Sequence, residues 1–144
     1  MKSETLQHWK STEYRFIAGQ QVLILRVGSM NPEVDTLLEE HPGEGLAFIS
    51  NFNPRGERYE EKANGQRTRA FQSWLLRAGL PHWQGLGVPS ADSDWLPETS
   101  FAIAALTRQK ALKIAQQCEQ LGFVWHPQGG KSELINAENG QTLT

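Results

Sequence analysis

Apolar residues along the chain fall into short runs cut by Gly and Pro, and their spacing changes from alternation to a helical period and back. Residues 14–18 and 22–27 are two apolar, β-branched-rich runs separated by Gly19-Gln20-Gln21, which predicts a hairpin with a three-residue turn. Leu23, Leu25 and Val27 face one way and Val22 and Ile24 the other, so both faces are largely apolar. Asn31 before Pro32 predicts an N-cap followed by proline at the first helical position, where its missing N–H costs nothing. The short helix carries Val34, Leu37 and Leu38 on one side, places Glu33 and Asp35 in its first turn, and stops near His41-Pro42-Gly43. Residues 46–50 form a third strand, apolar on both faces and therefore central.

Residues 57–78 are the longest helical stretch, closed by Gly79 with Pro81 just beyond. Residues 80–99 are rich in Gly, Pro, Ser and Asp and read as a long surface loop. Residues 101–106 give a fourth strand. Thr107 caps a helix whose Ala111, Ile114, Ala115 and Cys118 form one stripe, ending at Gly122. Residues 123–126 and 133–136 form a second hairpin. The order ββ-α-β-α-β-α-ββ predicts an α+β fold, an α/β sandwich. Its mixed sheet has about six strands, in two hairpins plus two single strands, packed with three helices.

The 144 residues suit one domain, 1–144, with frayed ends at 1–8 and 137–144. With 38% hydrophobic and 21% charged residues the composition is that of a globular domain. A net charge of -2 gives no field that argues for nucleic acid or an anionic membrane. The single cysteine excludes an intrachain disulfide and a cysteine-based zinc site. Together with the lack of an apolar leader and of any run near the roughly 18 apolar residues of a membrane helix, it leads us to expect a cytoplasmic protein.

The junction Ser50-Asn51-Phe52-Asn53-Pro54-Arg55-Gly56, between a strand and the long helix, is the most informative stretch. Strand ends in α/β domains commonly hold ligands, and a helix start favours an anion, to which Arg55 and Arg58 would add. Asn53-Pro54 also reads as a rigid turn closed by the Asn amide. At about 100° per residue, Tyr59, Ala63, Ala70, Phe71, Trp74, Leu75 and Ala78 share one arc, and Glu60, Asn64 and Arg67 intrude on it. Buried without partners, such groups cost on the order of 1–3 kcal/mol each, more if charged. Either a mutual network, such as Glu60 with Arg67, or a ligand pocket must satisfy them. Trp95 and Glu98, just before the fourth strand, could recognise a planar or cationic group; equally, Trp95 could cover the core while Glu98 pairs with Arg67.

Other signals are weak. His8, His41, His82 and His126 are dispersed, most of them expected in solvent, and no metal site or cofactor is expected. Gly85-Leu86-Gly87 lacks the third glycine of a dinucleotide fingerprint and reads as a loop hinge. No phosphate-binding loop and no Gly-x-Ser-x-Gly elbow occur. Cys118, on an apolar stripe, reads as an inert core thiol.

Four stretches together resemble the bacterial domain-of-unknown-function family numbered 3293. They are residues 9–14 (Trp-Lys-Ser-Thr-Glu-Tyr), residues 48–54 followed by Asn64 and Arg67, Gly85-Leu86-Gly87, and Trp95-Leu96-Pro97-Glu98. The resemblance runs from Trp9 to Asn136, departing at Asn51 and Phe52, where the family carries alanine and tryptophan, and after Cys118. It implies a small bacterial stand-alone domain and no particular activity. Its signature residues coincide with the polar intrusion on the helical arc, which suits a shared site or a shared structural network.

Two functions follow as expectations. The first is binding of a small polar or anionic ligand, such as a nucleotide or acidic metabolite, by Asn53, Arg55, Asn64, Arg67, Trp95 and Glu98. The second is a protein-interaction or homodimerising module that uses a sheet edge or Trp83 and Trp95. Catalysis ranks below both, because no nucleophile and base stand at telling positions.

Overall fold

The computed structural model describes residues 2–143. The first hairpin, β1 (Glu13–Ala18) and β2 (Gln21–Leu25), turns on Gly19 and Gln20, two residues rather than the expected three, with Gly19 at φ 65°. Helix α2 (Pro32–Glu39) starts as predicted: Val34 N–H donates to Asn31 Oδ1 at 3.0 Å. Strand β3 (Gly45–Ser50) is buried at every position, as its run of apolar residues requires. Thr107 Oγ1 accepts from Lys110 N–H at the start of α4 (Arg108–Gln117), and β6 (Gly122–Pro127) and β7 (Glu133–Asn136) form the last hairpin.

Three regions depart from expectation. Residues 3–11 are not frayed but form helix α1 (Ser3–Ser11), whose Leu6 and Trp9, three residues apart, pack against the core. The loop expected over residues 80–99 contains strand β4 (His82–Val88), so Gly85 and Gly87 are strand residues and not a hinge. A Cβ at Gly85 would lie 2.5 Å from the Arg15 carbonyl oxygen and 2.8 Å from the Phe48 ring, so glycine is what lets β1 and β4 approach. Helix α3 (Glu61–Ala78) begins four residues later than predicted, after a short 3-10 turn (Pro54–Gly56), and ends at Gly79 in the left-handed conformation, as expected. At the chain's far end, Ala137 is buried and the backbone turns back so that Leu143 N–H donates to Leu134 O. The expected fraying of Met1 and Thr144 lies outside the described residues.

The sheet therefore has seven strands, in the order β2-β1-β4-β5-β3-β6-β7, and every pairing is antiparallel. The predicted mixed sheet of six strands with three helices is replaced because β4 adds a strand and no helical crossover joins neighbouring strands. Helix α3 leads from β3 to β4 with β5 (Glu98–Leu106) between them, and α4 leads from β5 to β6 with β3 between them. Strands joined by a helix run the same way but never touch. The unit β3-α3-β4-β5-α4-β6 is thus a split β-α-β arrangement of the ferredoxin-like kind.

Side chains on the two faces of this sheet build two cores. On one face Ala47, Ile49, Phe101 and Ile103 meet Phe71 and Leu75 of α3 and Ile114 of α4. On the other, Tyr14, Phe16, Leu46 and Phe48 meet Val34 and Leu38 of α2, with Leu6 and Trp9 of α1 alongside. The sheet curls around that second face until its ends meet: Gly28 N–H donates to Ser132 O, Ser132 N–H to Ser29 O, and Met30 bridges to Lys131. Beneath this seam His126, fully buried, joins two elements. Its Nε2 donates to Asp35 Oδ1 at 2.7 Å and its Nδ1 lies 2.9 Å from Ser132 Oγ. His126 is thus a core residue, against the expectation that most histidines face solvent. Among the described residues no helix is long and apolar enough to cross a membrane.

Candidate functional site

Where β3 runs out at Ser50, the chain must turn away from the start of β5 to reach α3. It does so through two left-handed residues, Asn53 (φ 44°) and Arg55 (φ 59°), conformations that asparagine tolerates better than most residues. Asn53 holds the bend from inside. Its Oδ1 accepts from Tyr59 N–H (2.8 Å) and from Asn64 Nδ2 (2.9 Å), while its own N–H donates to Asn64 Oδ1 (2.9 Å). These bonds keep residues 57–60 out of the helix, so Tyr59 and Glu60 never join the arc predicted for them. They also exceed the simple turn closed by the Asn amide, since the backbone partner is six residues away.

Asn53 Nδ2 donates to Glu98 Oε1 at 3.2 Å. Among the described residues this is the Glu98 side chain's hydrogen bond, and Glu98 forms no ion pair. Desolvation raises its pKa above the ordinary carboxylate value, with the Asn53 bond opposing the rise. Glu98, Asn53 and Asn64 stand on the wall of a cleft of about 1000 Å³ at this end of the sheet. Ser50, Ser100 and Tyr14 also line it from the strands, and α1 supplies His8 and Trp9. Trp95, half-exposed in the loop between β4 and β5, stacks on His8 with ring centroids 3.7 Å apart. Burial lowers the His8 pKa and raises that of Tyr14, favouring the neutral form of each.

Of the six site residues predicted from sequence, Asn53, Asn64, Trp95 and Glu98 line this cleft, whereas Arg55 and Arg67 do not. Arg55 turns outward to Glu119, Glu57 and the Tyr59 hydroxyl. Arg67 turns into the fold. Its Nε donates to Asn51 O (2.8 Å) and a terminal nitrogen donates to Asn51 Oδ1 (2.7 Å) and Cys118 O (3.0 Å), while Asn51 Nδ2 returns a bond to Arg67 O (2.7 Å). Neither Glu60 nor Glu98 is its partner. The expected mutual network exists, but with asparagines in place of carboxylates. Gln120 ties the same region together, donating to Phe52 O and Cys118 O.

Trp95 does not cover the core, and Trp83, expected as a docking aromatic, is half-buried against Phe16 and His41. Sequence reasoning misses His8 because residues 1–8 are read as frayed, and passes over Trp9 and Tyr14 as site residues because nothing local shows that α1 and β1 face the Asn53 bend; the Leu6–Trp9 spacing is the signal that finds α1. Burial pushes the Cys118 thiol up to about 12, in keeping with an inert core residue. Among the described residues no three His, Cys, Asp or Glu side chains gather as metal ligands.

The family described as Protein of unknown function (DUF3293) matches residues 49–122, about half of the chain. The chain belongs to that family. The DUF3293 match contains all six predicted site residues and most of the split β-α-β unit, and is shorter than the Trp9–Asn136 resemblance. It therefore supplies the Asn53–Asn64–Glu98 wall of the cleft, while α1 and β1, which supply the other, lie before it. No curated protein and no solved structure matches the chain.

Proposed function

We propose that the chain is a binding module for a small polar organic molecule, taken up in the cleft between α1 and the Asn53–Asn64 bend. The observation that carries this reading is Glu98. A half-buried carboxylate costs free energy when its one side-chain partner among the described residues is a neutral amide, and a ligand that donates to it recovers that cost. Asn64 spends its side-chain bonds on Asn53 and the backbone, and Asn53 spends its own on Asn64, the backbone and Glu98, so Asn53 positions Glu98 instead of reaching out. Trp95 and the other aromatic residues of the lining provide apolar contact beside that carboxylate, a mixture typical of small-molecule pockets.

A fragment and metabolite screen read by two-dimensional NMR on the full chain tests the proposal. Compounds that bind in the cleft shift the Trp95 indole and Ser100 amide signals, and Trp95→Ala weakens them. A chemically diverse screen in which no compound moves either signal removes the proposal.

A further inference from the structure

The charge of the ligand, on the reading that the cleft is a binding site, follows from which side chains the bend turns inward. We propose that the cleft selects a planar organic cation, an amidinium, guanidinium or protonated nitrogen heterocycle, with its charge on Glu98 and its flat face against the aromatic walls.

Arg55 and Arg67, which would have made an anion site, are committed elsewhere: one to Glu119 on the surface, the other to Asn51 and the Cys118 carbonyl. Among the described lining residues Arg58 is the only Lys or Arg, set against Glu60, Glu61, Asp94 and Glu98. Burial lowers the His8 pKa, which disfavours a positive charge there. An arriving anion would meet Glu98 across a site of reduced dielectric, whereas a cation relieves its desolvation. Trp9, Phe52, Tyr59 and Trp95 are among the lining residues, and aromatic rings attract cations through their quadrupole and favour flat molecules. One fixed carboxylate beside aromatic walls is a recognition element for such a group.

Benzamidine, benzamide and benzoate share a ring and differ in charge, so titrating each into the full chain by calorimetry and NMR isolates the charge. Benzamidine is expected to bind at least tenfold tighter than benzamide, with benzoate weakest. Glu98→Gln, which keeps the acceptor for Asn53, is expected to remove that tenfold preference and leave benzamide unchanged. Benzamidine affinity should fall as pH falls and Glu98 takes up a proton; Tyr14, Arg58, Glu60, Glu61, Asp94 and His8 share the cleft, and His8→Gln separates any contribution from imidazole charging. Equal or tighter binding of benzoate or benzamide, or unchanged benzamidine affinity in a folded Glu98→Gln, overturns the charge assignment. If all three probes fail while other fragments still move the Trp95 signal, the assignment is likewise overturned and the site stands. If nothing moves that signal, the site itself falls.

Discussion

Asn53 and Asn64 hold each other by two hydrogen bonds in opposite directions, backbone N–H to Oδ1 and Nδ2 to Oδ1, both at 2.9 Å. Asn64 is buried, so its hydrogen bonds are shielded from solvent. Asn64→Ala should cost about 2 kcal/mol, the penalty for stranding a buried donor and acceptor, and lower Tm by roughly 6 °C. Thermal and urea denaturation measure this, and an unchanged midpoint would show that the bend stands without the pair.

Glu98 gives stability a pH dependence of definite sign. Its pKa is raised in the folded state, so the native protein binds the proton more tightly than the unfolded chain does. Its effect is least unfavourable below the ordinary carboxylate pKa, and stability is lost as pH rises from there through the raised value. In Glu98→Gln that descending component should vanish, leaving the variant at least as stable as the wild type at neutral pH. Urea midpoints across the acid-to-neutral range, compared pairwise, test the sign.

Gly85 and Gly79 separate two uses of glycine. Gly79→Ala meets nothing within 4 Å and pays only for a left-handed backbone, about 1 kcal/mol. Gly85→Ala drives a methyl into the Arg15 carbonyl and the Phe48 ring, and should cost about 2–3 kcal/mol. Equal losses in urea denaturation would contradict the close approach of β1 and β4.

His126→Ala should be among the most damaging single changes, at about 3 kcal/mol, since it opens a cavity and strands Ser132 and Asp35. Asp35→Ala should cost about half as much, because Asp35 is partly exposed although it also accepts from Gly129 N–H. In both variants hydrogen exchange should quicken at Gly28, Gly129 and Ser132 before it does in β3.

Local signals in the sequence were readable wherever one residue type decides the geometry. Asn31-Pro32, Thr107 and Gly79 marked helix ends because caps and left-handed closures have narrow chemistry. Strand β4 escaped because its glycines and its interrupted alternation resemble a loop, and their reason, close strand approach, is tertiary. Missing that one strand also hid the β-α-β-β-α-β order and with it the all-antiparallel sheet. In the site, the helical arc marks Asn64 and Arg67 as polar groups that need partners, and both have them, but which of them meets the cleft depends on the kink at Asn53 and Arg55. Periodicity assumes a straight helix through residues 57–60 and cannot see that kink. The pattern therefore points Arg55 and Arg67 at a ligand, whereas protein oxygens hold both.

The seam from Gly28 and Ser29 to Ser132 joins parts of the chain about a hundred residues apart, and this sets the order of assembly. The split unit β3-α3-β4-β5-α4-β6 can form from contacts within itself, whereas the seam must wait until β6 and β7 exist and the ends of the sheet swing together, a late step with a large loop-closure entropy. A chain emerging from the ribosome holds its first hairpin and α2 without their final partner until residues 126–132 are made. A deletion at either end should therefore loosen the other.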